Sequence, residues 1–292
     1  MEIKNKTFER YLHGYNYAQR TVSEYVRLVN AFLNSNPSGH KYTHKEIVSY
    51  MNDRANDYPD TDTALHILHA LKKYYSFLIE TGQREDHPCF TLNMKAKKGR
   101  TIIHQDLFTS EELEQLVNRK EFFDVFAVKH QLTISLLIYQ GLMAGELLRL
   151  KVQDINFDNG TMFIRSSRNQ NSRYLGIHPK QVQLLDQYIT GVRKRLLRTQ
   201  TDLLLISSRT GMPIKIDDMS HVMKSCKPMF PDRNLHPITI RKSVIANWLN
   251  ERKLPLEQVQ IMAGHKCMSS TERYKQSNPI EQRELMNKWF PI

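Results

Sequence analysis

The sequence predicts a mainly α-helical protein with a small antiparallel β-sheet, divided into two domains. Three observations lead to this fold class. Apolar residues recur every three or four positions through much of the first hundred residues, a basic run of low periodicity follows, and Asn159-Gly160 later forms a turn signal between β-prone segments. We therefore expect a helical domain over residues 1–90, a linker over 91–106 and an α+β domain over 107–292.

The first domain is predicted to consist of short amphipathic helices. The segment TVSEYVRLVNAFLN has one apolar face, and Thr21 is expected to be its N-cap. A second helix is expected at about 43–54, and a longer one in DTDTALHILHALKKYYSFLIETG ends where Gly82 suits a C-cap. The apolar stripes comprise Val22, Tyr25, Val26, Val29, Phe32 and Leu33 in the first helix and Leu65, Leu68, Leu71, Tyr75 and Leu78 in the last.

The polar faces of these helices are basic. They carry Arg20, Arg27, Lys72 and Lys73, so one side of the bundle is a candidate DNA-binding surface. The linker adds Lys95, Lys97, Lys98 and Arg100. A charge run of this kind is either a solvated tether or a DNA-contacting segment, and the sequence leaves both open.

The second domain opens with a helix in FTSEELEQLV, where Thr109 and Glu112 have the spacing of a capping box. An apolar helix follows in FAVKHQLTISLLIYQG and closes at Gly141. Strands are expected near 152–157, 161–165 and 173–177, and the pattern is helical again from about residue 180. The core is predicted to include Leu132, Leu136, Leu137, Leu142, Trp248 and Leu249.

Composition limits the classes of function. The net charge of +12 and the pI near 9.5 favour a protein that binds a polyanion such as nucleic acid. The alternative is a basic protein without a nucleic-acid partner. Cys89, Cys226 and Cys267 are odd in number and widely spaced, which supports neither a disulfide framework nor a zinc site. Neither a membrane span nor a secretory signal is evident, so we expect a cytoplasmic, nucleoid-associated protein without membrane contact.

A combination of residues near the C-terminus indicates chemistry. Arg241 lies in TIRKSV, His265 follows 24 residues later in MAGHK, and Tyr274 follows nine residues after that. Each residue alone has an ordinary structural explanation: a salt-bridged arginine, a C-capping histidine and a surface tyrosine. Together, and in this order of elements, they resemble the tyrosine recombinase (phage integrase) family over nearly the whole chain.

The resemblance implies a reaction and a fold. The fold would be a helical core-binding (SAM-like) bundle followed by an α+β catalytic domain. The nucleophile would be Tyr274, which would attack a DNA phosphodiester to give a 3′-phosphotyrosine intermediate. No metal or nucleotide cofactor is expected, because the covalent intermediate retains the energy of the ester bond. Arg241 matches a phosphate-binding arginine, and His265 matches the histidine that binds a phosphate oxygen or assists the tyrosine's proton.

Three positions depart from the family pattern. The first arginine of the family is replaced by Met143 in GLMAGEL, and a thioether does not stabilise an anion. The usual lysine of the β-turn is replaced by Arg168, which binds phosphate but is a poor proton donor. The histidine expected three residues before Arg241 is Ile238, whereas His236 lies five residues before it.

These departures leave three alternatives. The first is a working recombinase whose missing charge comes from elsewhere, for which Arg165, on the strand beside the turn, is our candidate. The second is a DNA-binding relative with weakened catalysis, since one lost donor costs about 10²–10³ in rate. The third is a type IB topoisomerase-like enzyme with the same phosphotyrosine chemistry, which the N-terminal helical bundle disfavours.

The expected partner is double-stranded DNA, held between the two domains as by a clamp. The resemblance implies a homotetramer on DNA, a monomer without it, and accessory DNA-bending proteins. The C-terminal tail, 275–292, contains an apolar cluster of Leu285, Met286, Trp289 and Phe290. It either folds back on its own domain or docks on a neighbouring protomer in a ring.

Overall fold

A computed structural model describes residues 2–57, 61–94, 106–119 and 124–275 of the chain. The chain divides into two compact units, Met1–Arg100 and Thr101–Ile292. Each unit has its own hydrophobic core. Most of the predicted linker, including all four of its basic candidates, lies outside the described residues, as does nearly all of the predicted tail.

The first unit is a helical bundle. Its helices are α1 (Glu2–Gly14), α2 (Gln19–Ser35), α3 (His44–Asp57) and α4 (Thr61–Glu80), with a 3₁₀ turn at Gly39–Lys41 between α2 and α3. The predicted apolar stripe of α2 faces the core, where Val22 and Phe32 are almost fully buried. The stripe of α4 does so as well, with Tyr75 fully buried, except that Leu65 is only partly buried and lies outside the core cluster. Gly82 ends α4 with a positive φ of 68°, as expected for a C-cap glycine.

The start of α2 differs from the prediction. Ala18, not Thr21, is the N-cap: its backbone is extended and its carbonyl accepts from the N–H groups of Thr21 and Val22. Thr21 therefore lies inside the first turn. The helix begins earlier because Gln19 and Arg20 are compatible with a helical backbone, so the apolar period alone does not locate its first residue. Helix α1 was not predicted from the sequence.

The second unit combines helices with one small sheet. Its helices are α5 (Ser110–Val117), α6 (Asp124–Tyr139), α7 (Ala144–Leu147), α8 (Pro179–Asp186), α9 (Arg193–Leu196), α10 (Ile216–Cys226), α11 (Pro237–Asn250), α12 (Leu256–Ala263) and α13 (Ser269–Glu272). A π-helical stretch, Gln187–Val192, joins α8 to α9. The predicted capping box of Thr109 and Glu112 begins α5, and the predicted core residues, including Leu132 and Trp248, are buried.

The sheet has three antiparallel strands in the order β1-β2-β3. They are β1 (Ile155–Asn156), β2 (Thr161–Ile164) and β3 (Arg173–Gly176). The first strand is shorter than expected because Val152–Asp154 form a 3₁₀ turn, in which the Asp154 carboxylate accepts from the N–H of Lys151 at 2.8 Å. Alternation along β3 turns Arg173 and Leu175 inward and Tyr174 outward.

Helix α11 runs through the core of the second unit. Every residue from Ser243 to Leu249 is buried, so this part of the helix is enclosed on all sides. Pro237 occupies its first turn, where a missing N–H has no cost. The helix therefore fixes the position of Arg241 rigidly. None of the helices in the described ranges has the length and hydrophobicity needed to cross a membrane.

Candidate active site

Arg241 is the centre of a buried polar cluster in the second unit. Its side chain is 4% exposed. The guanidinium donates to the carbonyl of Gly141, to that of Ala263 at 2.5 Å and to Oε1 of Gln170 at 3.4 Å. These three partners lie after α6, at the end of α12 and in the β2–β3 connection. Arg241 therefore joins three separate segments of the chain at one point.

Glu146 lies between two buried arginines. Its carboxylate accepts a bidentate pair of hydrogen bonds from Arg173 at 2.6 and 3.0 Å, and it lies 3.7 Å from Arg241. Burial alone raises the pKa of Glu146, but the hydrogen bonds and charge of Arg173 lower it on balance. The carboxylate is therefore ionised, and it offsets part of the positive charge of both guanidinium groups.

Arg173 was not identified from the sequence. It orients the site, because its Nε donates to the carbonyl of Met262 at 2.7 Å while its two terminal nitrogens hold Glu146. A signal was present: a charged residue at an inward-facing position of a predicted strand needs a buried partner of opposite charge. The partner is Glu146 of the GEL segment.

His265 is held next to this cluster by the end of α12. Gly264 is the C-cap with φ of 70°, and a Cβ at this position would collide with the guanidinium of Arg173. His265 follows directly and shares a hydrogen bond of 2.9 Å between its Nδ1 and Oγ1 of Thr271. Burial, together with the positive charges of Arg241 and Arg173, lowers the pKa of His265 to about 4. The imidazole is therefore neutral at physiological pH.

Tyr274 packs against His265. The two rings lie nearly parallel, with 6.1 Å between centroids and 20° between planes. The tyrosine's backbone is fixed by its N–H to the carbonyl of Thr271 at 3.0 Å and by its carbonyl, which accepts from Asn250 at 2.9 Å. Burial raises the pKa of the phenol, and the charges of Arg241 and Arg273 partly oppose that effect. The free site therefore holds the phenol in its protonated form.

The β2–β3 turn lies against the same loop. Ser167 and Gln170 exchange backbone hydrogen bonds across a two-residue turn that places Arg168 at the exposed tip. Gln170 also forms a backbone bridge with His265, and Asn171 donates to the carbonyl of Gly264 at 2.9 Å. The turn that carries Arg168 is thus fixed to the segment that carries His265.

Comparison with known proteins shows the family to which the chain belongs. The family model for the phage integrase family matches residues 106–281, which is more than half of the chain. The chain belongs to the phage integrase family. Tyrosine recombinase XerD of Halalkalibacterium halodurans is 23% identical over 304 residues, covering 100% of this chain and 99% of the relative. Tyrosine recombinase XerC of Oceanobacillus iheyensis is 24% identical over 302 residues, covering 100% and 97%.

Solved structures of integrases share the fold. The Tn1549 transposon integrase in complex with circular intermediate DNA aligns with a TM-score of 0.69 and 13% identity, over 97% of this chain and 98% of that one. A lambda integrase dimer bound to a COC′ core site aligns with a TM-score of 0.68 and 18% identity, over 94% and 77%.

The structure also locates the residues that depart from the integrase pattern. Met143 is the N-cap of α7 and is 36% exposed, with its N–H donating to Glu146 at 2.9 Å. His236 is the exposed N-cap of α11, and Ile238 is exposed in its first turn. Arg165 forms an ion pair with the buried carboxylate of Asp154 and lies over the ring of Phe163 at 5.9 Å.

The predicted site residues therefore fall into three groups. The structure brings Arg241, His265 and Tyr274 together, and the turn carrying Arg168 lies next to them. Within the described ranges, neither Arg165 nor His236 has a side-chain hydrogen bond or ion pair with any of those three. Among the same residues, no cluster of three or more His, Cys, Asp or Glu side chains is arranged to hold a metal ion.

The four described candidates for DNA binding lie on two helices of the first unit. Arg20 is exposed on α2, and Arg27 pairs with Glu24 at 2.7 Å. On α4, Lys72 reaches the side-chain oxygen of Asn93 at 3.4 Å. Lys73 lies over the rings of Tyr15 and Tyr17 at 5.5 and 5.8 Å. The ion pair of Arg27 and the contact of Lys72 are solvent-facing, and contacts of this kind contribute little to stability.

Proposed function

We propose that this protein is a site-specific DNA recombinase in which Tyr274 is the nucleophile. Members of its family break and rejoin DNA, and the relatives named above are tyrosine recombinases. One observation supports the assignment of residues: Arg241, His265 and Tyr274, selected by their spacing in the sequence, lie in one cluster, in which Arg241 and His265 are buried and Tyr274 is partly buried. A protein with this reaction would act on the nucleoid.

The chemistry follows from the charges at this cluster. The phenol of Tyr274 loses its proton as its oxygen forms a bond to phosphorus. The bond from phosphorus to the 5′-oxygen breaks, and that oxygen takes up a proton from water, leaving a 3′-phosphotyrosine and a 5′-hydroxyl. Negative charge develops on the non-bridging oxygens, where Arg241 is a permanently charged, preorganised donor. Neutral His265 can donate one N–H to a phosphate oxygen, whereas its pKa of about 4 makes it a weak acceptor for the phenol's proton until the DNA phosphate binds beside it.

The remaining charge is proposed to come from the β2–β3 region. Arg168 at the tip of the turn is the first candidate, because the turn is fixed to the His265 segment. Arg165 would have to leave Asp154 to contribute, and His236 would have to turn inward from the start of α11. If none of them reaches the phosphate, the protein is the DNA-binding relative with weakened catalysis, a second candidate that Met143 at the usual arginine position favours.

DNA is the proposed substrate, and the proposed assembly on it is a homotetramer. The two integrase structures named above are complexes with a circular intermediate DNA and with a core site. In this chain the basic residues of α2 and α4, together with Lys95, Lys97, Lys98 and Arg100 of the linker, are proposed to contact phosphates. Accessory DNA-bending proteins would assist where two distant sites must meet.

A trapping experiment tests the proposal. Duplexes that bind the protein are first selected from a randomised pool, and the selected sequence is then made with a nick near the cleavage position so that the released fragment diffuses away. Incubation is expected to give a covalent protein–DNA adduct. Tyr274→Phe should abolish the adduct, whereas Tyr174→Phe, which removes an exposed hydroxyl from β3, should not.

Other outcomes point to the alternatives. Selective binding without any adduct, under conditions that preserve the fold, would assign the protein to the weakened DNA-binding class. Relaxation of supercoiled DNA with no sequence preference would favour the topoisomerase-like reaction. An adduct that survives Tyr274→Phe would exclude Tyr274 as the nucleophile.

A further inference from the structure

A second polar pocket lies in the unit that contains Arg241, and it shares no residue with the cluster described above. Its volume is about 540 Å³, and it is lined by Lys129, His130, Ser208, Arg209, Asp218 and His221. This volume is within the range of about 300–1,000 Å³ that small-molecule sites occupy. The lining carries one lysine, one arginine, two histidines and one carboxylate, so basic side chains outnumber the acidic one.

Lys129 is the unusual member of this lining. It lies on α6 and is 4% exposed, and its Nζ donates to Oγ of Ser208 at 2.5 Å. Within the described residues no carboxylate lies within ion-pair distance of this nitrogen. An ammonium group carries three donors, of which this hydrogen bond uses one.

The carboxylate in the pocket is committed elsewhere. Asp218 accepts from the hydroxyl of Ser207 at 2.7 Å through one oxygen and from the N–H of Lys215 at 3.0 Å through the other. The negative charge of Asp218 raises the pKa of Lys129, but burial lowers it by more, so the pKa of Lys129 is below its ordinary value. A buried cation without a paired anion is costly, and an anionic ligand would remove that cost.

We propose that this pocket binds a phosphate ester, with Lys129 at its base and Arg209 at its exposed rim as the charged donors. The hydroxyl of Ser208 and the side chains of His130 and His221 also line the pocket, which suits a tetrahedral anion with several acceptor oxygens. The pocket's volume exceeds what inorganic phosphate alone would fill, which is why an ester is proposed. The ester is either a free nucleotide or a phosphate of bound DNA. The proposal does not depend on the chemistry of Tyr274.

The first arm of the test uses free ligands and the full chain without DNA. Inorganic phosphate and 5′-deoxyadenosine monophosphate are titrated by calorimetry, with deoxyadenosine as the uncharged control. Lys129→Met is expected to weaken binding of the monophosphate at least tenfold relative to Lys194→Met, which removes the same charge from an exposed position on α9. Phosphate that binds at Arg241 would be unaffected by either change, so the comparison isolates the pocket.

The second arm uses a DNA duplex in place of the free ligand. If the pocket holds a DNA phosphate, Lys129→Met should lower duplex affinity, and the salt dependence of binding should correspond to about one fewer phosphate contact than in Lys194→Met. Arg209→Gln, an exposed change that spares the core, repeats both arms should Lys129→Met fail to fold. A loss in either arm supports the proposal and identifies the source of the phosphate. The proposal is overturned if every folded variant among Lys129→Met and Arg209→Gln binds the monophosphate and the duplex as tightly as Lys194→Met does.

Discussion

At the scale of single residues, the site depends on one negative charge placed between two positive ones. Glu146 is 4% exposed and pairs with Arg173 directly and with Arg241 at 3.7 Å. Burial lowers the pKa of Arg241 to about 10, the charge of Glu146 opposes that effect, and the guanidinium remains protonated at neutral pH. The cluster therefore retains a net positive charge in a nearly dry setting, where it interacts strongly with an anion.

Met143 offers a direct test of whether this charge is sufficient. Introducing a guanidinium by Met143→Arg, at a partly exposed position whose backbone is held by Glu146, should increase the rate of covalent adduct formation. A gain of about tenfold or more is expected, since one preorganised donor is worth about 10²–10³ in rate. Met212→Arg adds the same charge at an exposed loop position and should leave the rate unchanged. Equal rates in the two variants would mean that another residue already supplies this charge.

The neutral state of His265 predicts a pH dependence of stability. The unfolded chain binds this proton with a pKa near 6.5, whereas the folded protein binds it only near 4, so acid favours unfolding between these values. From pH 7 to pH 5 this one group should reduce the free energy of unfolding by about 2 kcal/mol. His265→Gln should lose that part of the decline, as measured by urea unfolding at both pH values. Parallel declines in the two proteins would contradict the buried, neutral assignment.

At the scale of secondary structure elements, the site is assembled from segments that end near one another. The carbonyls after α6 and at the end of α12 both accept from Arg241 on α11, and strand β3 supplies Arg173. The short helix α7 supplies Glu146. Because these elements also bury the apolar core of the second unit, packing energy holds the polar side chains in place.

Gln170 is predicted to be the positioning residue that couples the β2–β3 turn to the cluster. Its side chain accepts from Arg241, and its backbone is bridged to His265. Gln170→Ala should slow adduct formation about tenfold while leaving the dissociation constant for DNA unchanged, because a misplaced group costs rate rather than binding. Gln170→Glu keeps the acceptor and should retain most of the rate. Asn169→Ala, in the exposed part of the same turn, is the control; an equal loss of rate there would refute a specific role for Gln170.

At the scale of the whole molecule, the chain combines a helical unit with an α+β unit and carries a net charge of +12. The charge is distributed over many exposed lysine and arginine side chains, so binding to DNA should depend strongly on salt. Contacts of this kind set position and orientation on the duplex, and site preference must come from fewer contacts to base edges.

We propose that the C-terminal tail docks on a neighbouring protomer, which is one of the two alternatives that the sequence leaves open. Deleting residues 280–292 should leave binding to a single site intact. It should eliminate synapsis, the pairing of two bound DNA sites in one complex, because the removed apolar cluster would otherwise dock on a neighbouring protomer. Gel-shift assays with one and two sites, combined with sedimentation of the complexes, measure both properties. Unchanged strand exchange by the truncated protein would count against docking. Reduced thermal stability of the DNA-free protein would indicate that the tail packs on its own domain.

The sequence by itself determined the helical bundle, the three-stranded sheet and the candidates Arg241, His265 and Tyr274. These features are encoded locally, in the period of apolar residues and in the spacing of a few polar ones. Only the tertiary structure decided that Arg173 holds Glu146 and that Arg165 pairs with Asp154. The start of α2 was also missed, because several residues are compatible with the same helical turn. The pairing of charged side chains differs from these local features, because it depends on which distant segments pack together. No local sequence pattern predicts that packing.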